Sequence, residues 1–282
     1  FSGGLTTTSV GGTVTFDGQL FSDNGNITLG AITLSSARFV GIGTNSTSGG
    51  AGGDLTISGN ITGGGQDLGL TTEAHVPLNS SGSNGTTKGI TISGNITNVG
   101  DLDILSIGGT ATLSGNVSVG ALTIPNTVVN FAMTGSSNTI TNAATFANTG
   151  TLNLGNAAAD SFTFNGGLTE TTTGTVTLAS AISSSNDAIS FGAVTLGANT
   201  IIDTNATSNA ADITIAAITG GSNNLTLSTG DNIAGADITA SGAISGLGNL
   251  TLADVGGTAT FSANVAAAAL SAANTVANIT FT

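Results

Sequence analysis

One short alternation of apolar and polar residues recurs along the whole chain. An apolar residue, a threonine and a second apolar residue are followed by a small or polar residue. Successive side chains of an extended strand point to opposite faces, so each triad predicts a short strand with one buried face and its threonine outside. The triads lie at 14–16, 27–29, 32–34, 55–57, 90–92, 122–124, 162–164, 176–178, 194–196, 213–215, 225–227, 250–252 and 279–281.

Longer units repeat as well. Residues 55–62, 90–97 and 111–118 each read as a short strand, a Ser-Gly-Asn corner and another short strand. Glycine and asparagine accept the left-handed backbone that such corners need. Equivalent positions lie 18, 19 or 21 residues apart in several successive copies. A period of roughly 20 residues predicts a solenoid of ~14 turns, and we expect an all-β, right-handed parallel β-helix that forms a single array over residues 1–282.

Two segments depart from this rhythm. Residues 66–88 contain no triad but carry Gln66, Glu73, His75 and Lys88, so much of the unusual chemistry of the chain is concentrated there. We interpret the segment as a loop that protrudes from the solenoid and binds a partner; a degenerate turn with a long corner is the alternative. Residues 266–273 are rich in alanine, which suits either a helix or a tightly packed strand interior.

The charge of the chain excludes several classes of partner. Fifteen acidic residues stand against Arg38 and Lys88, which gives a formal net charge of −13. Nucleic acids and anionic membrane surfaces would be repelled, and no stretch is apolar enough for a membrane helix. The chain has no cysteine, which rules out disulfides and thiolate sites.

The repeats are similar to those of a known group of proteins. Residues 53–63 (GDLTISGNITG) and 224–233 (NLTLSTGDNI) resemble repeats of filamentous-haemagglutinin-type adhesins, and autotransporter passengers and bacterial β-strand-repeat surface proteins share the style. The resemblance implies a secreted, right-handed β-helix with a role in adhesion or cell-surface architecture. The amino-terminal secretion module and carboxy-terminal membrane barrel of those proteins are not visible here, which leaves the export route open.

We therefore expect an extracellular or cell-surface structural protein without enzymatic activity. Its strands near the two ends of the chain, with Val14, Phe16, Ile279 and Phe281, would let copies stack end to end into a homopolymer. An alternative is the rod of an adhesin that binds cell-surface glycans or proteins. A polysaccharide-processing β-helix enzyme is a third reading.

Candidate chemistry beyond this is sparse. Asp101 and Asp103 share one strand face and form the only tight acidic pair, but no basic or aromatic residue lies near them in sequence. His75 belongs to no catalytic motif. Residues 49–54 match part of a calcium-binding repeat only once, so we expect no cofactor and leave open calcium between acidic subunits, at no located site.

Asparagine sequons recur where a corner meets a strand, and the repeat itself generates them. We expect most to be structural. They include Asn26, Asn60, Asn84, Asn95, Asn116, Asn205, Asn224, Asn249 and Asn278.

Overall fold

The fold consists of short parallel strands. A computed structural model describes residues 3–8, 10–35, 40–44, 52–72 and 87–282. The strands are β1 Leu5–Thr6, β2 Val14–Phe16, β3 Gln19–Phe21, β4 Ile27–Leu29, β5 Ile32–Leu34, β6 Val40–Gly43, β7 Leu55–Ile57, β8 Ile61–Thr62, β9 Leu68–Thr71, β10 Ile90–Ile92, β11 Ile96–Ile104, β12 Ile107–Leu113, β13 Val117–Ile124, β14 Val128–Met133, β15 Ser137–Ile140, β16 Ala144–Phe146, β17 Leu152–Leu154, β18 Ser161–Phe164, β19 Leu168–Glu170, β20 Val176–Leu178, β21 Ala181–Ser184, β22 Ile189–Leu196, β23 Thr200–Ala206, β24 Ile213–Thr219, β25 Leu225–Gly230, β26 Ile238–Ala240, β27 Ile244–Leu252, β28 Val255–Phe261, β29 Val265–Ala272 and β30 Val276–Phe281.

These strands stack as a parallel β-solenoid, which confirms the predicted architecture. The solenoid has about 11 turns of about 22 residues, so the predicted turn of roughly 20 residues was slightly short and the predicted ~14 turns too many. The difference arises because long corners lengthen several turns, as described below. None of the described residues forms a helix, and residues 266–272 of the alanine-rich stretch lie in strand β29. The described part of the chain accordingly offers no helix that could cross a membrane.

The chain divides into two compact units. The first comprises Phe1–Gly135 and Phe146–Leu152, and the second comprises Ser136–Thr145 and Asn153–Thr282. Within each unit a turn contributes to three rows of strands, which we name row A, row B and row C in chain order, separately for each unit. Every strand of a row pairs in parallel with the equivalent strand one turn away.

The first unit shows how uneven sequence spacing still gives an exact register. Row A pairs β1 with β4, β4 with β7, β7 with β10 and β10 with β12. Its outward residues are Thr6, Thr28, Thr56, Thr91 and Thr112, each directly opposite the next. Rows B and C begin with β2 paired to β5 and β3 paired to β6. Because pairing is residue by residue, inward side chains form continuous columns, and the apolar residues of β4, β7 and β10 are all buried.

The second unit repeats this plan. Row A runs through β19, β22, β24, β26, β28 and β30, and row C runs from β15 through β18, β21, β23, β25 and β27 to β29. Row B runs through β20, β22, β24, β27 and β29. The buried columns contain Phe162, Phe164 and Phe261, which are at most 1% exposed. Apolar columns of this kind supply the main stabilisation of the fold.

Candidate functional site: the clamped corner and the terminal turns

The corner between row C and row A is where the turns differ in length. In the first unit an inward hydroxyl closes this corner in three turns: Ser22 donates to the carbonyl of Gly25, Thr44 to that of Gly53 and Thr72 to that of Lys88. The donor and acceptor are 3, 9 and 16 positions apart in these three turns. The acceptor always lies two residues before the next row A strand. In each of these turns one hydroxyl thus fixes the end of the corner at the same place before row A, although the corner segments differ widely in length.

The second unit uses the same device, which we call the corner clamp. Ser184 donates to the carbonyl of Asp187, Thr204 to that of Ala211 at 2.9 Å, and Thr229 to that of Ala236 at 3.4 Å. The side chains of Ser184, Thr204 and Thr229 are fully buried, and Ala211 and Ala236 are buried too. The carbonyls of Lys88 and Ala236 also accept a backbone N–H, from Gly109 and Gly257 respectively, each at 2.9 Å. A buried carbonyl without a partner is costly, so the clamp matters most where no such N–H is given, as at Ala211.

Turns without a long corner place an apolar side chain at the equivalent position. Val255 occupies this position one turn beyond Thr229, and the N–H of Thr229 donates to the carbonyl of the adjacent Asp254. Val276 is paired with Val255 and occupies the same position one turn later. In the first unit Ile107 and Val128 do the same. This rule was not predicted from the sequence, although a signal was present. After the last inward apolar residue of row C, the next inward position is serine or threonine wherever a long corner follows.

Asparagine and aspartate side chains form a second set of bonds between turns. The side-chain oxygen of a residue just before a strand, or within strand β14 in the case of Asn130, accepts the backbone N–H of its equivalent in the next turn. The pairs (acceptor first) are Asn26–Asp54, Asp54–Gly89, Asn60–Asn95, Asn95–Asn116, Asp67–Asp101, Asn130–Thr151, Asn199–Asn224, Asn224–Asn249, Asp212–Asp237 and Asp237–Thr258, at 2.7–3.0 Å. We call each such series an Asx ladder. Four predicted structural sequons, Asn26, Asn60, Asn95 and Asn224, supply acceptors in it, which confirms their structural role.

The predicted binding segment 66–88 is only partly described. Its beginning is not a loop: Leu68–Thr71 is a buried strand of row C, paired with β6 and β11. Gln66 precedes this strand and Lys88 lies beyond it, next to row A, so the structure does not bring these two residues together. Lys88 pairs with Asp54 one turn away, with Nζ and Oδ2 3.4 Å apart. Glu73, His75 and the sequon residue Asn84 lie outside the described residues.

The acidic pair found in the sequence lies on one face of β11, with a third carboxylate beside it. Burial raises the pKa of Asp103, and the charges of Asp101 and Asp67 raise it further, against a lowering hydrogen bond from Thr123. Asp67 accepts the backbone N–H of Asp101 at 2.8 Å. These carboxylates therefore belong to the packing between turns, and we assign them no catalytic role.

A second acidic group lies at the clamped corner of the second unit. Burial raises the pKa of Asp203, hydrogen bonds from the Asn205 N–H and the Ser228 hydroxyl oppose this, and the charges of Asp254 and Asp231 add to the rise. Across the described ranges, no three histidine, aspartate or glutamate side chains group in a way that could hold a metal ion. For the calcium-like run 49–54, the only described carboxylate is that of Asp54, which already binds the Gly89 N–H and Lys88.

The predicted self-association residues lie in the first and last turns that the structure describes. Val14 and Phe16 are half-buried in β2, Ile279 is half-buried and Phe281 is exposed in β30. In the described part of the chain, β2 pairs with β5 and β30 with β28, each on one side. Comparison with known proteins adds no assignment: no protein family, no curated protein and no solved structure matches the chain.

Proposed function

We propose that this chain is a structural subunit of an extracellular or cell-surface fibre whose copies stack end to end. The observation that carries the proposal is the exposed end of the apolar columns in the last turn. Leu270 is 44% exposed although its partner Leu250 is 0% exposed, and Phe281 is 56% exposed although Phe261 is 1% exposed. Exposed inner columns beside a strand edge favour pairing with a further turn.

The first turn presents the matching surface. Leu5 and Val14 are half-buried, whereas their partners Ile27 and Ile32 are almost fully buried. Strands β1, β2 and β3 each pair with one neighbour among the described strands. A second copy that adds a turn here would bury these side chains and satisfy the edge of the strands in the same way that turns do inside the chain.

The distribution of charge favours contact through the ends over contact through the sides. All fifteen acidic residues and both basic residues lie between Asp17 and Asp254, and residues 1–16 and 255–282 have no charged side chain. Two copies side by side would set one net charge of −13 against another. Two copies end to end bring uncharged turns together, so this geometry avoids most of the repulsion. The extracellular setting rests on the resemblance of the repeats to those of secreted adhesins.

The test combines negative-stain imaging with sedimentation of the purified 282-residue chain. Leu270→Lys places a charge on the end of a column, and Ile201→Lys places the same charge on an outward position that is 47% exposed. We expect filaments one solenoid wide for the original chain and for Ile201→Lys, and single particles for Leu270→Lys. Single particles for the original chain at all concentrations would refute the proposal and favour an adhesin rod, which a glycan or cell-binding assay would then address.

A further inference from the structure

We infer that a hollow on the side of the second unit binds one ring of a neutral sugar chain through the hydroxyls of Thr175, Thr195 and Thr219. The hollow has a volume of about 230 Å³ and lies on the outer face of row B, across strands β20, β22 and β24. Each of these strands pairs with a strand on both sides. The site is therefore independent of the proposed end-to-end stacking, and it adds a binding function to that structural one.

A difference in corner length between successive turns forms the hollow. Between β19 and β20 the chain passes from row A to row B through residues 171–175, whereas β22 and β24 run through the same corner as unbroken strands. Thr171, Thr173 and Gly174 are exposed at that corner. The corner therefore forms a wall beside the smoother face of the next two turns.

Small side chains form the floor of the hollow, and threonines surround it. Ala193 lies directly opposite Ala217, and Thr195 directly opposite Thr219, in the pairing of β22 with β24. Thr175 lines the hollow from the corner before β20. Among the described residues, the hydroxyls of these three threonines have no hydrogen-bond partner, so they are available to a ligand.

A buried carboxylate holds the wall in place. Glu170 is 5% exposed, and its two side-chain oxygens accept the backbone N–H of Thr172 in the corner and that of Gly192 in the next turn, the latter at 2.9 Å. Hydrogen bonds to an ionised carboxylate are stronger than those between neutral groups, so they tie the corner to the turn that supplies the floor. The hollow is thus preformed, which lowers the entropic cost of binding.

Size and chemistry indicate the class of ligand. Sites for drug-sized molecules have volumes of about 300–1,000 Å³, so this hollow suits a smaller group such as one sugar ring. A threonine hydroxyl can both donate and accept a hydrogen bond, as a sugar hydroxyl can. The methyl groups of Ala193 and Ala217 offer a flat contact to the C–H face of the ring.

Charge and backbone pairing disfavour other ligands. Residues 89–282 contain no lysine, arginine or histidine, and the chain has a net charge of −13, so an anionic ligand would be repelled. A peptide would use a free strand edge or a pocket for its side chains. The strands beneath the hollow have no free edge, because each is paired on both sides.

Equilibrium dialysis tests the site, since it measures binding equally well in single particles and in filaments. The probes are labelled neutral trisaccharides of glucose, mannose and galactose, with the acidic trisaccharide of galacturonate for comparison. We expect one neutral probe to bind with a Kd of about 1 mM and galacturonate to bind more weakly. No saturable binding of any neutral probe at about 20 mM, or tighter binding of galacturonate, would overturn the inference.

Substitutions locate the binding. Ala193→Leu fills the floor and should weaken binding at least about tenfold, whereas Ala181→Leu, at an outward position of row C, should not. Thr195→Val/Thr219→Val should weaken binding about 25-fold, about fivefold for each hydroxyl lost. The matched control is Thr226→Val/Thr251→Val, a directly opposed threonine pair in row C.

The outcomes separate this inference from the proposed function. Circular dichroism checks that all variants fold. Binding of a neutral probe by Ala193→Leu as tight as that by the original chain would place the site elsewhere and overturn the inference, while filaments seen by negative stain would still support stacking. Binding at the hollow by a chain that stays as single particles would leave the sugar site standing without the fibre.

Discussion

The corner clamp makes a sharp prediction at Thr204. Its hydroxyl lies 2.9 Å from the carbonyl of Ala211 and 3.3 Å from that of Thr229, and the side chain is 0% exposed. Thr204→Val keeps the shape of the side chain and removes the hydroxyl that donates to these carbonyls. A hydroxyl has a single hydrogen, so the shorter contact to Ala211 is the one chiefly lost. Leaving that buried carbonyl without a partner should cost about 1–3 kcal/mol.

The effect should be local, since each turn of a solenoid contacts only its neighbours. Hydrogen exchange of the amides at 205–212 therefore measures it better than a global unfolding midpoint. A cost of about 1–3 kcal/mol corresponds to exchange roughly 5–150 times faster at this corner. Amides in rows A and C of distant turns should exchange as before.

The matched control is Thr214→Val, the same substitution at an exposed, outward position of row A. It should leave exchange at 205–212 unchanged. Exchange no faster in Thr204→Val than in this control would refute the idea that the hydroxyl holds the corner. Thr204→Ser, which keeps the donor, should exchange more slowly than Thr204→Val.

Two further predictions concern charge and backbone packing. The pKa of Asp203 is raised in the folded state, so ionisation of this carboxyl destabilises the fold as the pH rises through that pKa. Asp203→Asn should therefore stabilise the protein at pH 7 and lose this advantage below about pH 4, near the unfolded pKa. An equal gain in urea unfolding at both pH values would contradict this. A Cβ on Gly94 would lie 2.1 Å from the Gly59 carbonyl oxygen, whereas one on Gly11 would meet nothing within 4 Å. Gly94→Ala should therefore lower the free energy of unfolding by about 1–3 kcal/mol, and thermal unfolding of Gly11→Ala, which we expect to resemble the original chain, provides the comparison.

The strands were predictable because their signal is local. Every predicted triad lies in a strand, since alternating apolar residues around a threonine need one buried face. Val40–Gly43 and Leu68–Thr71 escaped notice because glycine replaces the outward threonine in both. Their identity as strands depends on pairing with neighbouring turns, which no local pattern records.

The corners were less predictable than the strands. Serine and threonine are common throughout this chain, so the inward hydroxyls of Thr44, Thr72 and Thr204 do not stand out until the register of row C is known. The Asx ladders were predictable in part, because the Ser-Gly-Asn repeat pointed to structural asparagines. Which turn each asparagine binds could not be read from residues spaced 21 to 35 positions apart.

The clamp also bears on how such a chain can change over evolutionary time. A corner that already spans 3, 7, 9 or 16 positions between an inward hydroxyl and the carbonyl that it binds can gain or lose residues without shifting any buried column. Insertions elsewhere in a turn would displace whole rows and invert which side chains face inward. Genes for chains of this type should therefore accumulate length differences directly after the inward serine or threonine of row C, while strand lengths stay fixed, so that new surface sequences can be sampled at little risk to the fold.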